Sequence, residues 1–455
     1  VRKYLALVLG VLFILSVTVL AFAEETQPQI TLSGKLLMRG WYVGNATVAA
    51  YDEDGYFESY GGIPVKTNAD AFYSTNANIM LDAKVTDNVR GFLEFETAQG
   101  GNLNSGLYLW GNYDSKPNSD MLIRQAWIQY TGSGLLNVPS GIKVGHMPFS
   151  LGEKQFMNSE RFGDDAIVLW TDPSTELHLA IATTKLNEGS VSLHADDIDG
   201  YHAILTYMWD KDNTVGANYS FIHEDMDSLN LHNVGIHGNG MISGLSYAAE
   251  VDLQFGDVKP ADEEKTKFRG WGLLAKVGYM VDPVNLRASF AYGSGDNNPD
   301  DSKDNEFETL MGPNYGYTAR LVHYTMIYER IIQTSSNHAY DVDSEGDPDP
   351  SRNTGIANTT YYNLGIDLNP VKEVSLSLDG FYLDASKSCC GQNTHIGEEL
   401  DFKGTYKIAK NLSYFVEAAA FWPGKFYTTG EEDPFTDENC KKTVTMAVHG
   451  LCLTF

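Results

Sequence analysis

The segment Glu399-Leu400-Asp401-Phe402-Lys403-Gly404-Thr405-Tyr406-Lys407-Ile408 carries charged or hydroxyl side chains at every second position, with apolar or small ones between. Successive side chains of an extended chain point to opposite faces, so this stretch has one charged face and one apolar face. Carboxylates and ammonium groups in one row can attract ions, orient water and pair with each other. The same phase argument collects Lys35, Arg39, Glu94, Glu96, Lys143, Glu176, Arg287, Asp379 and Glu417 with Asp401, Lys403 and Lys407. Arg124 joins them ambiguously, because Gln125 and Gln129 lie on the other phase. Holding so many charges away from water costs several kcal/mol each, so the face they share must be wet.

A second charged group, Glu153, Lys154, Glu160 and Arg161, falls in the connection 150–164. A charged loop of this length can fold into a channel as a selectivity constriction, or cap it from outside. Catalytic patterns are missing. The 11 histidines fall in no nucleophile or metal-ligand spacing, and His232 and His237, five apart, face opposite sides of a regular strand. Gly238-Asn239-Gly240 meets Ser243 where a dinucleotide fingerprint needs its third glycine. An enzyme is therefore the least favoured class.

The charged face needs elements to carry it. The chain has 455 residues, 43% hydrophobic and 12% aromatic, with a formal net charge of −28. That charge excludes a phosphate-tracking nucleic-acid binder, and the aromatic content argues against disorder. Residues 1–23 read as a secretory signal peptide: Arg2 and Lys3, an apolar stretch from Leu5 to Leu20, and Ala21-Phe22-Ala23 as a cleavage site. A membrane anchor is the competing reading. Beyond it no apolar run is long enough for a spanning helix.

From residue 30 onward period two dominates, in segments near 30–43, 71–85, 89–97, 121–131, 141–149, 165–171, 175–186, 199–209, 214–224, 229–237, 243–255, 267–281, 284–294, 358–369, 373–384, 397–409, 411–422 and 442–455. Tight turns alternate with long polar connections, aromatics such as Trp41, Phe72, Trp127, Tyr207, Trp209, Tyr279, Tyr361 and Trp422 sit near strand ends, and the last strand stops at Phe455. Together these predict an all-β fold: one transmembrane antiparallel β-barrel over 24–455, with 18 strands, or 16 if 165–171 and 229–237 drop out. Short turns and both ends would face the periplasm. Tyr317 to Ile332 could add a loop helix or an extra hairpin.

Leu122-Ile123-Arg124-Gln125-Ala126-Trp127-Ile128-Gln129-Tyr130, then Ile142 to Met147, Arg161 to Ala166 and Leu179 to Glu188, resemble alginate-export-type and related porin-like barrels of Gram-negative outer membranes. The resemblance implies 18 strands and a monomer-sized pore. Where that family carries Gly-Arg-Gln this chain has Gly145-His146-Met147, one basic residue fewer, which favours a porin over export of an anionic polysaccharide. The expected function is passive diffusion of small hydrophilic solutes or ions through a water-filled lumen. Polysaccharide export, and the barrel sheath of a porin–cytochrome electron conduit, are the alternatives. Expected partners are outer-membrane lipid, lipopolysaccharide and, through the strand ending at Phe455, the barrel-assembly machinery. No organic cofactor is expected. Asp341, Asp343, Glu345, Asp347 and Asp349 resemble the start of a structural Ca2+ loop, against the alternative of a solvated acidic loop. Cys389 or Cys390 is a candidate disulfide partner of Cys440.

Overall fold

The computed structural model describes residues 28–45, 69–99, 108–110, 119–134, 137–161, 163–188, 197–225, 228–259, 264–298, 302–311, 325–329, 355–388, 393–428 and 442–455. Eighteen strands form the wall. They are β1 (Gln29–Gly44), β2 (Ala69–Lys84), β3 (Val89–Gln99), β4 (Ser119–Ser133), β5 (Pro139–Met147), β6 (Asp164–Thr171), β7 (Leu177–Asn187), β8 (Ile198–Asp210) and β9 (Asn213–Glu224). The other half comprises β10 (Leu229–Ile242), β11 (Leu245–Val258), β12 (Trp271–Val281), β13 (Val284–Gly293), β14 (Thr359–Val371), β15 (Val374–Ala385), β16 (His395–Ala409), β17 (Leu412–Pro423) and β18 (Val444–Thr454).

Each strand pairs antiparallel with its sequence neighbours, and β18 returns to β1 from Thr445↔Gly44 to Thr454↔Lys35. Along the paired length of the wall the sheet therefore has no free edge, which is the condition for a sheet to sit in hydrocarbon. The outward phase is apolar and uncovered: Ile30, Leu32, Ile128, Ile236, Leu253, Leu286 and Leu364 are all more than half exposed. So wide an apolar surface suits lipid, not water.

The turns at one end are short for local reasons. Between β10 and β11, Ser243 and Gly244 both take positive φ, 52° and 84°, closing Ile242 onto Leu245 with a twist that matches the strands. Between β2 and β3 the Thr86 hydroxyl accepts the Asn88 and Val89 amides. The longer connections leave from the other end, where 148–161, 294–298 and 355–358 are described.

Two expectations need correction. The segment 267–281 is broken: Thr266–Phe268 pairs with β11 and, in parallel, with Lys303–Asp304, and β12 begins only at Trp271. Trp41, Phe72, Trp127 and Tyr361 are not girdle residues, because their phase points inward; Trp41 stacks on Phe72 at 5.9 Å and donates its indole N–H to Ser74. The girdle positions are kept by Tyr73, Tyr207, Trp209, Tyr279, Tyr382, Tyr406 and Trp422, all exposed on the outer phase. β6 and β10, the weakest segments by pattern, are full members of the wall, as the count of 18 expects.

Gly145 on β5 has φ 129°, and a Cβ there would run into the Ala126 carbonyl oxygen of β4. That oxygen belongs to the ladder and has no room to yield. Gly145→Ala is expected to lower the yield of folded barrel strongly, read as loss of the compact band in unheated gel electrophoresis.

Candidate functional site: the lumen and its crossing loop

Arg124 reaches the lumen through a β-bulge. The β3–β4 register slips between Glu94↔Gln125 and Phe95↔Ile123, leaving Arg124 as the extra residue. Both Arg124 and Gln125 then point inward, each donating to Glu94 Oε2 at 2.6 Å. Asn78 donates to the other Glu94 oxygen at 2.8 Å, and Asn76 to Glu96 at 2.8 Å. The phase ambiguity at Arg124 is resolved by one inserted residue.

The bulge receives the loop 148–163. Arg161 lays its guanidinium on Glu96 with two bonds of 2.7 Å, both side chains being nearly buried. Arg124 donates through Nε and Nη2 to the carbonyls of Arg161 and Glu160, at 2.9 and 3.0 Å. Within the loop Lys154 pairs with Glu160 at 2.6 Å, and Ser150 donates to the same carboxylate. The bend between them uses positive φ at Gly152 (54°) and Lys154 (73°). The far side of the loop meets a different part of the wall: the Glu153 amide donates to Glu250 of β11 at 2.8 Å, and Asn239 of β10 donates to Glu153 at 2.6 Å. The loop thus lies across the interior and is fastened at both sides.

On another stretch of wall Arg287 is clamped by two carboxylates. It bonds Asp367 through Nε and Nη2 at 2.8 Å each, and Asp379 through Nη1 and Nη2 at 2.8 and 2.9 Å. Arg287→Met keeps most of the stem but leaves two half-buried carboxylates facing each other. A loss of about 3 kcal/mol is expected, read as a lower temperature at which the compact gel band disappears.

The inner face is not polar along its whole length. Toward the long-connection end the inward phase becomes apolar, with Leu274, Ala291, Tyr361, Leu383, Phe421 and Val444 fully buried. Pieces of the connections fill that half: Phe149 to Met157, Phe307, Ile356, Phe426, and the segment Thr325–Glu329. The last sits on β16, where Met326 donates its amide to Asp401 at 2.9 Å and Ile327 and Tyr328 donate to Glu399 at 2.6 and 2.9 Å. Asp401 therefore holds an inserted segment as well as belonging to the wall.

Polar space persists beside these inserts. A cavity of about 330 Å³ is bordered by Lys35, Arg39, Glu94, Glu96, Arg124 and Arg161, and one of about 390 Å³ by Lys276, Arg287, Asp379 and Lys403. Arg39 lies 4.9 Å from the Trp41 ring and Lys143 lies 4.0 Å from Trp127. Lys403 stands opposite Glu417, and Lys403 and Lys407 are exposed. Glu176 is the exception: it is an exposed residue of the turn before β7, its carboxyl held below the ordinary range by hydrogen bonds from Thr175 and Ser174. It does not line the wall.

Sequence reasoning missed Glu250, Asp252, Lys276 and Asp367, all on the inward phase. Their signal is present in Ala249-Glu250-Val251-Asp252-Leu253-Gln254-Phe255, which alternates as cleanly as Glu399 to Ile408. The signal peptide, the acidic run Asp341–Asp349, and Cys389, Cys390 and Cys440 lie outside the described residues.

The model of the alginate export family matches residues 186–327, downstream of most of the motifs that carried the resemblance. Solved structures match over nearly the whole chain. They include Pseudomonas aeruginosa OpdL (TM-score 0.53, 13% identity, covering 93% of this chain and 98% of that one) and the P. aeruginosa outer membrane protein OprD (TM-score 0.52, 10% identity, 96% of each chain). The fold is that of an outer-membrane porin barrel. P. aeruginosa OccK8 (OprE) gives the same picture, with TM-score 0.53, 11% identity, and coverage of 93% and 98%. No curated protein matches the chain.

Proposed function

We propose that the chain is an outer-membrane porin that lets small hydrophilic solutes or ions diffuse passively through its lumen. The observation that carries this reading is the loop 148–163, fastened across the interior by Arg161–Glu96 on one side and Glu153–Glu250 on the other. Such a loop leaves flanking polar channels of limited width, lined by both signs of charge, which is how a pore filters by size and charge. The barrel would sit in outer-membrane lipid under lipopolysaccharide after export and removal of residues 1–23. Its last strand would be the element read by the assembly machinery. Calcium in the acidic outer loop and a disulfide to Cys440 stay part of this proposal.

A second reading, export of an anionic polysaccharide, is favoured by the family match over 186–327. One experiment separates them. Purified protein in planar bilayers should give stable conductance steps with a reversal potential set by small ions, little affected by uronate oligomers. Deep, concentration-dependent block by the oligomers would support the exporter. Electrically silent membranes containing folded barrel would overturn both.

A further inference from the structure

We propose that Asp252, Asn218 and Asn233 form a site for one calcium-class divalent cation inside the barrel, over Gly235. The three side chains belong to adjacent strands β9–β11, where Asn218, Gly235 and Asp252 form one cross-strand row and Asn233 stands in the next. All are buried, Asp252 and Asn233 completely. Asn233 donates its amide to Asp252 Oδ1 at 2.8 Å. That leaves Asp252 Oδ2, Asn233 Oδ1 and both amide atoms of Asn218 buried without a hydrogen-bond partner among the described residues. A Cβ built on Gly235 would stand 2.6 Å from Asp252 Oδ1 and 2.6 and 2.8 Å from the two Asn218 amide atoms. The missing side chain of one glycine keeps open a small space walled by polar atoms.

Charge decides what belongs there. Glu250, the next inward residue of β11, is also buried, and the polar neighbour that bears on Asp252 among the described residues is Asn233, which is uncharged. Lys276 of β12 faces Glu250, Glu153 and Glu329, whereas the β12 partner of Asp252 is Gly272. His237 stands beside Glu250 in its row, and His202, bonded to Ser220, lies in the row of Asn233. A buried carboxylate such as Asp252, faced by a glycine and an amide and not by a basic group, requires a proton or a metal. The available donors are a carboxylate and amide carbonyls, hard oxygens that suit calcium and not the thiolate- or imidazole-seeking metals. The Asn218 amide can turn its oxygen inward, since nothing else fixes its orientation.

The test counts bound calcium on the full chain, folded in detergent and stripped with EDTA, after equilibrium dialysis against CaCl2. Wild type should bind one ion more than Asp252→Asn, which removes the charge, and than Gly235→Ala, which fills the space without changing any charge. Unheated gel migration confirms that each barrel is folded; Asp252→Asn, nearly isosteric, carries the test if Gly235→Ala does not fold. Equal calcium in wild type and in the folded variants overturns the proposal, as does displacement of the ion by equimolar sodium. Conductance is not read, so failure of the porin reading leaves this outcome independent.

Discussion

Arg161→Ala is expected to make the conducted current larger and markedly more cation-selective. The guanidinium closes two bonds on Glu96, and its backbone carbonyl receives Arg124, so this residue ties the crossing loop to the wall. Removing one member of a nearly buried ion pair costs about 3–5 kcal/mol, because the other charge is left without compensation. The loop is then held on that side only by the Arg124 bonds to the backbone carbonyls of 160 and 161, and Glu96 gains an unbalanced negative charge beside the cavity it borders. The first change enlarges the current, and the second favours cations. Reversal potentials in a KCl gradient should shift toward the potassium potential, while Arg161→Lys should fall between, keeping the charge but not the two-pronged grip. An unchanged reversal potential with an unchanged step size would remove the loop from the filter.

The second large effect concerns the inserted segment Thr325–Glu329. Glu399→Ala takes away the acceptor of the Ile327 and Tyr328 amides, and both would remain buried. Each orphaned amide costs about 1–3 kcal/mol, and bonds to a carboxylate lie at the upper end. The segment is short, and its ring contacts, Tyr328 with Tyr361 and with Phe421 at 6.0 and 6.1 Å, do not replace those bonds. Its release should widen the passage, giving higher and noisier conductance from a barrel that still migrates as a compact band. Glu399→Gln should sit nearer to wild type, since its amide oxygen can still accept. If Glu399→Ala conducts as wild type does, the segment is a wall ornament and not an obstruction.

The barrel was legible because its physics is local: alternation, tight turns and loop lengths are all properties of neighbouring residues. The charged inner face was legible on the same ground, including Lys35, Arg39, Glu94 and Glu96. Arg124 was not, since a bulge shifts the phase by one residue and only the partner strand reveals it. The inserted pieces were hidden for a different reason. Ile327 meets Glu399 across 72 positions of sequence, and nothing local marks either as the other's partner. Trp41 and Trp127 misled because an aromatic near a strand end stabilises a headgroup boundary or a packed interior equally well, and only the phase separates the two.

The seam between β1 and β18 has a consequence in time. Phe455 and Gly34 exchange backbone hydrogen bonds of 2.9 and 3.0 Å, so residues from opposite ends of the chain must meet before the sheet has no free edge. Until then every intermediate carries two open strands and an uncovered apolar face, the two features that drive self-association. Pairings so distant in sequence also form slowly. The interval before closure is thus the most vulnerable in the life of the molecule. A strand lost from β18 should be read as aggregation during assembly long before it is read as a leak.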